Sequence, residues 1–429
     1  LALPESEGIA AGLYHYRPQD HQLERRCAYP PALGYHLFDD LPAGSFLLGL
    51  SGIPWREAWK YGERAWRYCL LDLGHALGAL RYGAALLGWQ LDAQEHLADD
   101  AVAALLGLDR EAEFERDEPE YPELLCLVTP AGSGPVTGYQ LPADLSIQLA
   151  ALHWQGKANR LSHRHDYRWA LVDQAVASAA RPDTPPESQV AGSLPSPATF
   201  DCSLTAVDLI QRRRSAQTFD GATGLDLEDF LRILDHCLPR PGLPPWGPQP
   251  AAARVHLILF VHRVAGLARG VYALPRRTDA LPDLKAAMRD EFQWNAVDAS
   301  PDHLALRHLL SADARRTAAR LACTQAIAAD GAFSLAMLGE YEAALAEGPW
   351  GYRQLMTEAG LLGQALYLGA EACDLQGTGI GCFFDDGLHE VFGLRDHRFQ
   401  VLYQFTVGKG LTDLRISNQR PYPELRAGA

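Results

Sequence analysis

The side chains best suited to chemistry in this 429-residue chain fall in four short runs. Gln211-Arg212-Arg213-Arg214-Ser215-Ala216-Gln217-Thr218-Phe219 closes a predicted helix. Clustered arginines beside a hydroxyl can hold a phosphate through charge-assisted hydrogen bonds. A solvated helix end carries the same residues, because positive charge suits the dipole there. Gly377-Thr378-Gly379-Ile380-Gly381-Cys382-Phe383-Phe384 is glycine-rich, but a dinucleotide fingerprint needs a strand before the glycines and a helix after them. Here a helical pattern precedes and a strand pattern follows. Two readings stay open: a turn whose backbone N–H groups face a ligand ring, and a helix C-cap leading into a strand.

Lys60-Tyr61-Gly62-Glu63-Arg64 opens a long helix in the first half, and lysine and tyrosine are proton-transfer side chains. Adjacent helical residues diverge, so a joint role requires an irregular helix start. Ser162-His163-Arg164-His165-Asp166 has metal-ligand types but no third ligand at a recognised spacing, and reads as exposed polar chain. GxSxG elbows and Walker A loops are absent.

These runs sit in a duplicated chain. At an offset of 286, Arg67, Asp72, Gly74, Leu80, Gly83 and Ala84 meet Arg353, Glu358, Gly360, Leu366, Gly369 and Ala370, and Gly107-Leu108 meets Gly393-Leu394. At an offset of 258, Gly8, Ala10, Gly12 and Tyr14 meet Gly266, Ala268, Gly270 and Tyr272. Fixed offsets across separated blocks indicate duplication of a whole domain. Residues 181–200, rich in Pro and Ser, read as an exposed, fairly stiff linker between a first repeat over 1–180 and a second over 201–429. The first repeat has seven residues before Gly8 where the second has about sixty, so its front end is expected to be missing.

In the second repeat, helices are predicted over Ala206 to Arg213, Leu225 to Leu238 and Gly351 to Leu375. Strands are predicted over Arg254 to Val264 and Phe399 to Val407, the latter with one strongly apolar face. Helices and strands mix without regular βαβ alternation, which is an α+β pattern. A hydrophobic fraction of 48% with 21% charged residues is that of an ordinary globular chain. A net charge of −15 argues against nucleic acid and anionic membrane as partners. No apolar run reaches the length of a membrane span. Eight scattered cysteines without a CxxC pair read as mostly reduced core thiols of a cytoplasmic protein.

Taken together, these segments resemble the nitroreductase family of flavoproteins, and specifically its SagB-type dehydrogenase branch in fused tandem form. Arg213-Arg214-Ser215 is similar to the family's R-R-S-x-R segment, and the long helix ending in Gly377-Thr378-Gly379-Ile380-Gly381 to its central helix and glycine turn. Asp386 to Leu394 resembles the short helix that follows, and Val407-Gly408 to Asp413-x-Arg415 the closing strand and arginine. Gly12-Leu13-Tyr14-His15-Tyr16, with His21, Leu23 and Lys60-Tyr61-Gly62-Glu63-Arg64, resembles the SagB-type pattern. The resemblance implies a nitroreductase-like α+β fold whose two repeats form an intrachain pseudo-dimer with FMN at their interface. It implies that Arg213, Arg214, Ser215, Gln217 and Arg415 serve the phosphate, ribityl and pyrimidine ends. Backbone N–H groups of Gly379, Ile380 and Gly381 would approach flavin N5, and Lys60 and Tyr61 would be catalytic.

Three departures limit this expectation. Gln217 stands where the family usually has Arg or Lys, Pro244 to Pro250 replaces the P-S-x-x-N-type loop, and Gly88-Trp89-Gln90 replaces the glycine turn in the first repeat. At most one flavin site is therefore expected, built on the second repeat and completed by the first. The implied activity is hydride transfer through flavin N5. It takes the form either of azoline-to-azole oxidation on a modified peptide or of NAD(P)H-dependent reduction of small nitro or quinone acceptors. The competing expectation is a degenerate, non-catalytic flavin-binding or scaffolding module.

Overall fold

In the computed structural model, residues 1–114, 116, 118–136, 138–185, 194–419 and 422 are described. Strands β1 (Ala2–Leu3), β2 (Gly12–Arg17), β3 (Gln22–Ala28), β4 (Phe46–Gly52), β5 (Trp89–Ala93) and β6 (Tyr121–Pro130) form one sheet. Its order is β3-β2-β1-β4-β6-β5. Strands β7 (Val255–Val261), β8 (Gly270–Leu274), β9 (Asn295–Ala296), β10 (Arg307–Ser311), β11 (Phe333–Gly339), β12 (Gln376–Ile380) and β13 (Gln400–Gly408) form a second, ordered β12-β13-β11-β7-β8-β10-β9. Read from the other edge, the first order is the second with β9 removed. Every pairing is antiparallel. The fold is α+β, built from two fused units of matching strand order.

Each unit contributes one 22-residue helix, Ala65–Leu86 and Gly351–Ala372, and these two pack together between the sheets. One apolar core joins Leu70, Leu77, Leu355 and Leu362 of the helices to Cys126 of β6 and Leu257 of β7. The outer face of the second sheet is covered as well, with Ile258, Phe260 and Leu338 packing on Leu284, Leu321 and Phe392. The alternation seen in Phe399 to Val407 thus misleads: β13 is buried on both faces, Gln404 and Thr406 included.

The repeat relation extends to individual contacts. Tyr14 Oη donates to the Ala10 carbonyl at 2.9 Å and Tyr272 Oη to the Ala268 carbonyl at 2.8 Å. Short helices Asp99–Leu106 and Asp385–Phe392 both open on aspartates and both end at a left-handed glycine, Gly107 (φ 73°) and Gly393 (φ 82°). Across the interface Arg67 reaches Asp385 and the carbonyls of Val401 and Leu402, while Arg353 reaches Asp99 and the carbonyls of Pro122 and Glu123. Each arginine thus pairs with the other repeat, as a pseudo-twofold axis between the long helices requires.

Burial pushes the Glu123 carboxyl up to about 7, against the opposing pull of Arg353. A carboxyl raised above its ordinary 4.5 adds stability that is fully present below that value and is lost as pH rises through about 7. Glu123→Gln is therefore expected to flatten the fall in Tm between pH 5 and pH 8, which a thermal melt series checks. An unchanged slope would remove Glu123 as its source.

At the described ends of the linker, Arg181 and Thr184 donate backbone N–H groups to Asp99 and the His96 carbonyl, and the Pro195 carbonyl accepts from Arg240. Its residues 186–193 lie outside the described residues. Two expectations need correction. Cys323 and Cys382 are disulfide-bonded, since the end of β12 brings residue 382 beside the turn at 323; the other six cysteines are free. The long helix also stops earlier than expected, where Asp374 takes a left-handed φ of 53°.

Candidate functional site

Gly377, Gly379 and Gly381 lie in or just past β12, an edge strand, and not in a turn; of the two open readings, helix end into strand is the one found. An added Cβ at Gly377 would sit 2.7 Å from the Phe405 ring, one at Gly379 2.6 Å from Tyr403 Cζ, and one at Gly381 2.5 Å from Tyr68 Cε1. The three glycines let aromatic rings press directly on the strand backbone. The strand's free edge is met by the arginine run. Ala216 N–H donates to the Gly377 carbonyl at 3.1 Å, and Thr378 Oγ1 to the Ala216 carbonyl at 2.7 Å.

Tyr367, from the long helix of the second repeat, ties these pieces together. Its hydroxyl lies 2.8 Å from Ser215 Oγ and accepts from Gly379 N–H at 3.1 Å. The Arg213 guanidinium lies over its ring, 4.7 Å from the centroid. One cation, two hydroxyls and a glycine-rich edge strand thus converge.

The first repeat closes the other end. Tyr68 abuts Gly381, Tyr61 meets Tyr68 edge-on at 4.9 Å, and Lys60 Nζ sits 5.1 Å from the Tyr61 ring centroid. Lys60 and Tyr61 do not open the long helix, as their sequence position suggests. They end a short one, Trp55–Tyr61, where Gly62 takes a φ of 61°, and the long helix starts at Ala65. Arg64 Nη2 donates to the Gly381 carbonyl at 3.2 Å. His75, from the same long helix, lies 3.3 Å from Tyr403 Oη through Nε2. Burial pushes His75 down to about 4, so it is neutral at neutral pH.

The remaining expected residues are placed differently. Ile380 buries its side chain in the core and offers only backbone. Arg214 turns away to Asn418 Oδ1 at 3.0 Å, and Gln217 is exposed. Arg415 is 89% exposed and pairs with Asp413 two residues away, because its loop holds it against its own neighbour. Arg64 belongs to the Lys60–Arg64 run, whereas Tyr367, Tyr68, Tyr403 and His75 are not marked as site residues by the sequence. Tyr68 sits at the Gln354 position of the repeat, and nothing in pattern separates Tyr367 from other helical tyrosines. His165 bonds Glu118 at 3.0 Å, and among the described residues no group of three His, Cys, Asp or Glu could hold a metal ion. No helix among them is long and apolar enough to cross a membrane.

The family model described as Nitroreductase family matches residues 210–409, which hold the arginine run, Tyr367 and β12. Among solved structures, a protein from Anabaena variabilis assigned to the nitroreductases is 21% identical, with 94% of this chain and 78% of that one covered at a TM-score of 0.64. That likeness establishes the fold over nearly the whole chain. NADPH:FMN oxidoreductase from Vibrio harveyi, complexed with NAD+, aligns over 50% of this chain and 73% of its own at 15% identity and a TM-score of 0.30. The E. coli microcin synthetase McbBCD complex, with truncated pro-MccB17 bound, aligns over 59% and 85% at 14% identity and 0.35. Among curated proteins no significant match is found.

Proposed function

Residues 210–409 carry a nitroreductase family domain, and from that premise we propose that the chain is an FMN-dependent oxidoreductase with one flavin site at the interface of its repeats. The single observation that carries this reading is the glycine-rich edge strand β12, flanked by Arg213 and Ser215 from its own repeat and by Tyr61 and Tyr68 from the other. A flat ring needs a wall with few side chains, and its phosphate needs a cation and a hydroxyl. The residues fit FMN on those terms. Arg213 and Ser215 would hold the phosphate and ribityl groups, and the β12 backbone the ring edge. Bound flavin supplies hydride transfer through N5. Arg415, as placed, would have to leave Asp413 to take part.

Lys60 and Tyr61 would move a proton on a substrate held above that ring, at the Lys60 Nζ and Tyr61 Oη atoms. Their convergence favours oxidation of an azoline ring on a modified peptide over simple reduction of nitro or quinone acceptors by NAD(P)H, and we place this chemistry in the cytoplasm. Purified protein is expected to carry about one FMN per chain, read from its visible spectrum and the mass of the released chromophore. Lys60→Ala with Tyr61→Phe should lower azoline oxidation by roughly 100-fold or more, as loss of general acid–base catalysis does, and spare acceptor reduction. Azoline oxidation that survives both changes would refute the role of the pair. Protein that takes up no FMN even when soaked in it would support the non-catalytic module instead.

A further inference from the structure

The run Ser162 to Asp166 pins a loop against the short helix that carries Lys60 and Tyr61. Glu118, buried at the centre, accepts from the backbone N–H groups of Leu161 and Ser162 and from Arg56 Nη2 of that helix, and lies 3.0 Å from His165 Nε2. The His165 ring packs on Trp55 at 4.2 Å, and Trp55 Nε1 donates to the Tyr167 carbonyl at 3.2 Å. Beyond that anchor the chain lays down two stacked rings, Tyr167 and Trp169, with centroids 5.8 Å apart. Trp169 fits beside Gly62, where a Cβ would lie 3.3 Å from its ring.

Held this firmly, the loop still leaves rings in water. Tyr167 is 68% exposed, Trp59 60% and Tyr61 43%. Trp59 follows Trp55 by one helical turn, and its Nε1 donates to the Arg56 carbonyl of its own helix. Contiguous exposed apolar surface of this kind marks a place where something docks. The contacts run outward from the flavin cradle without a break: Tyr68 on Gly381, Tyr61 on Tyr68, Trp169 beside Gly62, Tyr167 on Trp169.

We propose that these rings form a docking platform for the flank of the peptide substrate. Apolar side chains of the peptide lie on Trp59, Trp169 and Tyr167 while its azoline ring is held at Lys60 and Tyr61. The platform rests on the azoline reading of the site and adds a determinant of which peptides it takes. The occupant follows from the continuity of the track. A nitro or quinone acceptor of one ring ends at Lys60 and Tyr61, whereas a polypeptide continues past them and covers the rings beyond. Large, rigid aromatic faces suit apolar side chains and lose little entropy on contact. Because Glu118 and Trp55 already hold the loop, docking need not order it.

The probes are two fluorescein-labelled decapeptides, each bearing one thiazole, the stable oxidised ring. One carries Phe and Leu on both sides of the ring, the other Ser and Gly, and fluorescence anisotropy on the full chain reads both affinities. The Phe/Leu peptide should bind at least about tenfold more tightly. Added salt should not reduce that advantage, since rings and not charges make the contact. Trp59→Ala with Tyr167→Ala should erase it while FMN content and Tm stay as they are, and Tyr167→Phe should keep it. Equal affinity of the wild type for the two peptides, or a difference that survives the double change, would overturn the platform. So would concentration-dependent dimerisation that the double change abolishes, since the occupant would then be a second copy of the chain. Protein that carries FMN yet treats the peptides alike keeps the flavin reading and loses this one; protein that carries none but discriminates in this pattern does the reverse.

Discussion

Gly379→Ala is expected to cost the protein its flavin while leaving the fold in place. The methyl group would land on the Tyr403 phenol, overlapping its hydroxyl and lying 2.6 Å from Cζ. Tyr403 has nowhere to go. Its ring is only 7% exposed, its hydroxyl is bonded to His75 of the other repeat, and its far edge is 3.2 Å from where a Cβ on Gly363 would stand. The strand must therefore move, and with it the Gly379 N–H held by Tyr367 and the edge alongside Arg213 and Ser215. Overpacking of this kind costs about 1–3 kcal/mol. In an edge strand that cost falls on the cradle before it reaches the sheet, which is centred on β7 and β11. FMN affinity should fall at least about tenfold, one tenfold step being about 1.4 kcal/mol. Flavin fluorescence quenching measures it, and Tyr403→Phe in the same background should recover part of the loss. Wild-type affinity in Gly379→Ala would show that the flavin does not rest on β12.

What could be read from the sequence, and what could not, follows from where the constraint lies. Tyr14 and Tyr272 could be matched because each closes the same four-residue hydrogen bond in its own repeat, so the same types recur at the same spacing. Arg67 and Arg353 could be matched for the same reason, but their partners could not. Asp385 and Asp99 lie 318 and 254 residues away, and a contact across a pseudo-twofold axis leaves no local signature. The glycine run was legible as special yet not as a strand, because glycine disfavours strands locally and β13 overrides that preference. Tyr367 was invisible: its role depends on the meeting of Ser215, Gly379 and Arg213, which come from three separate segments. The disulfide was missed because Cys323 and Cys382 are brought together only by tertiary packing.

Substitution at the helix crossing should do the opposite of Gly379→Ala, striking stability first. Gly74 and Gly360, matched by the repeat, meet each other on the pseudo-twofold axis. An added Cβ on Gly74 would lie 2.8 Å from Gly360 Cα and one on Gly360 3.0 Å from Gly74 Cα, each also overlapping a backbone carbonyl of the facing helix, Thr357 or Leu71. Backbone cannot step aside as a side chain can, so the two 22-residue helices must separate along the core they share. Gly74→Leu is expected to abolish cooperative folding or leave the repeats undocked, and Gly74→Ala to lower Tm by roughly 5 °C, at about 2–4 °C per kcal/mol for a unit of the size of one repeat. Because both glycines guard one contact, Gly74→Ala with Gly360→Ala should cost clearly less than the sum of the single changes. Calorimetric melts of the four proteins settle it. Additive losses would mean that the two positions relax independently, and the close crossing would then not be what joins the repeats.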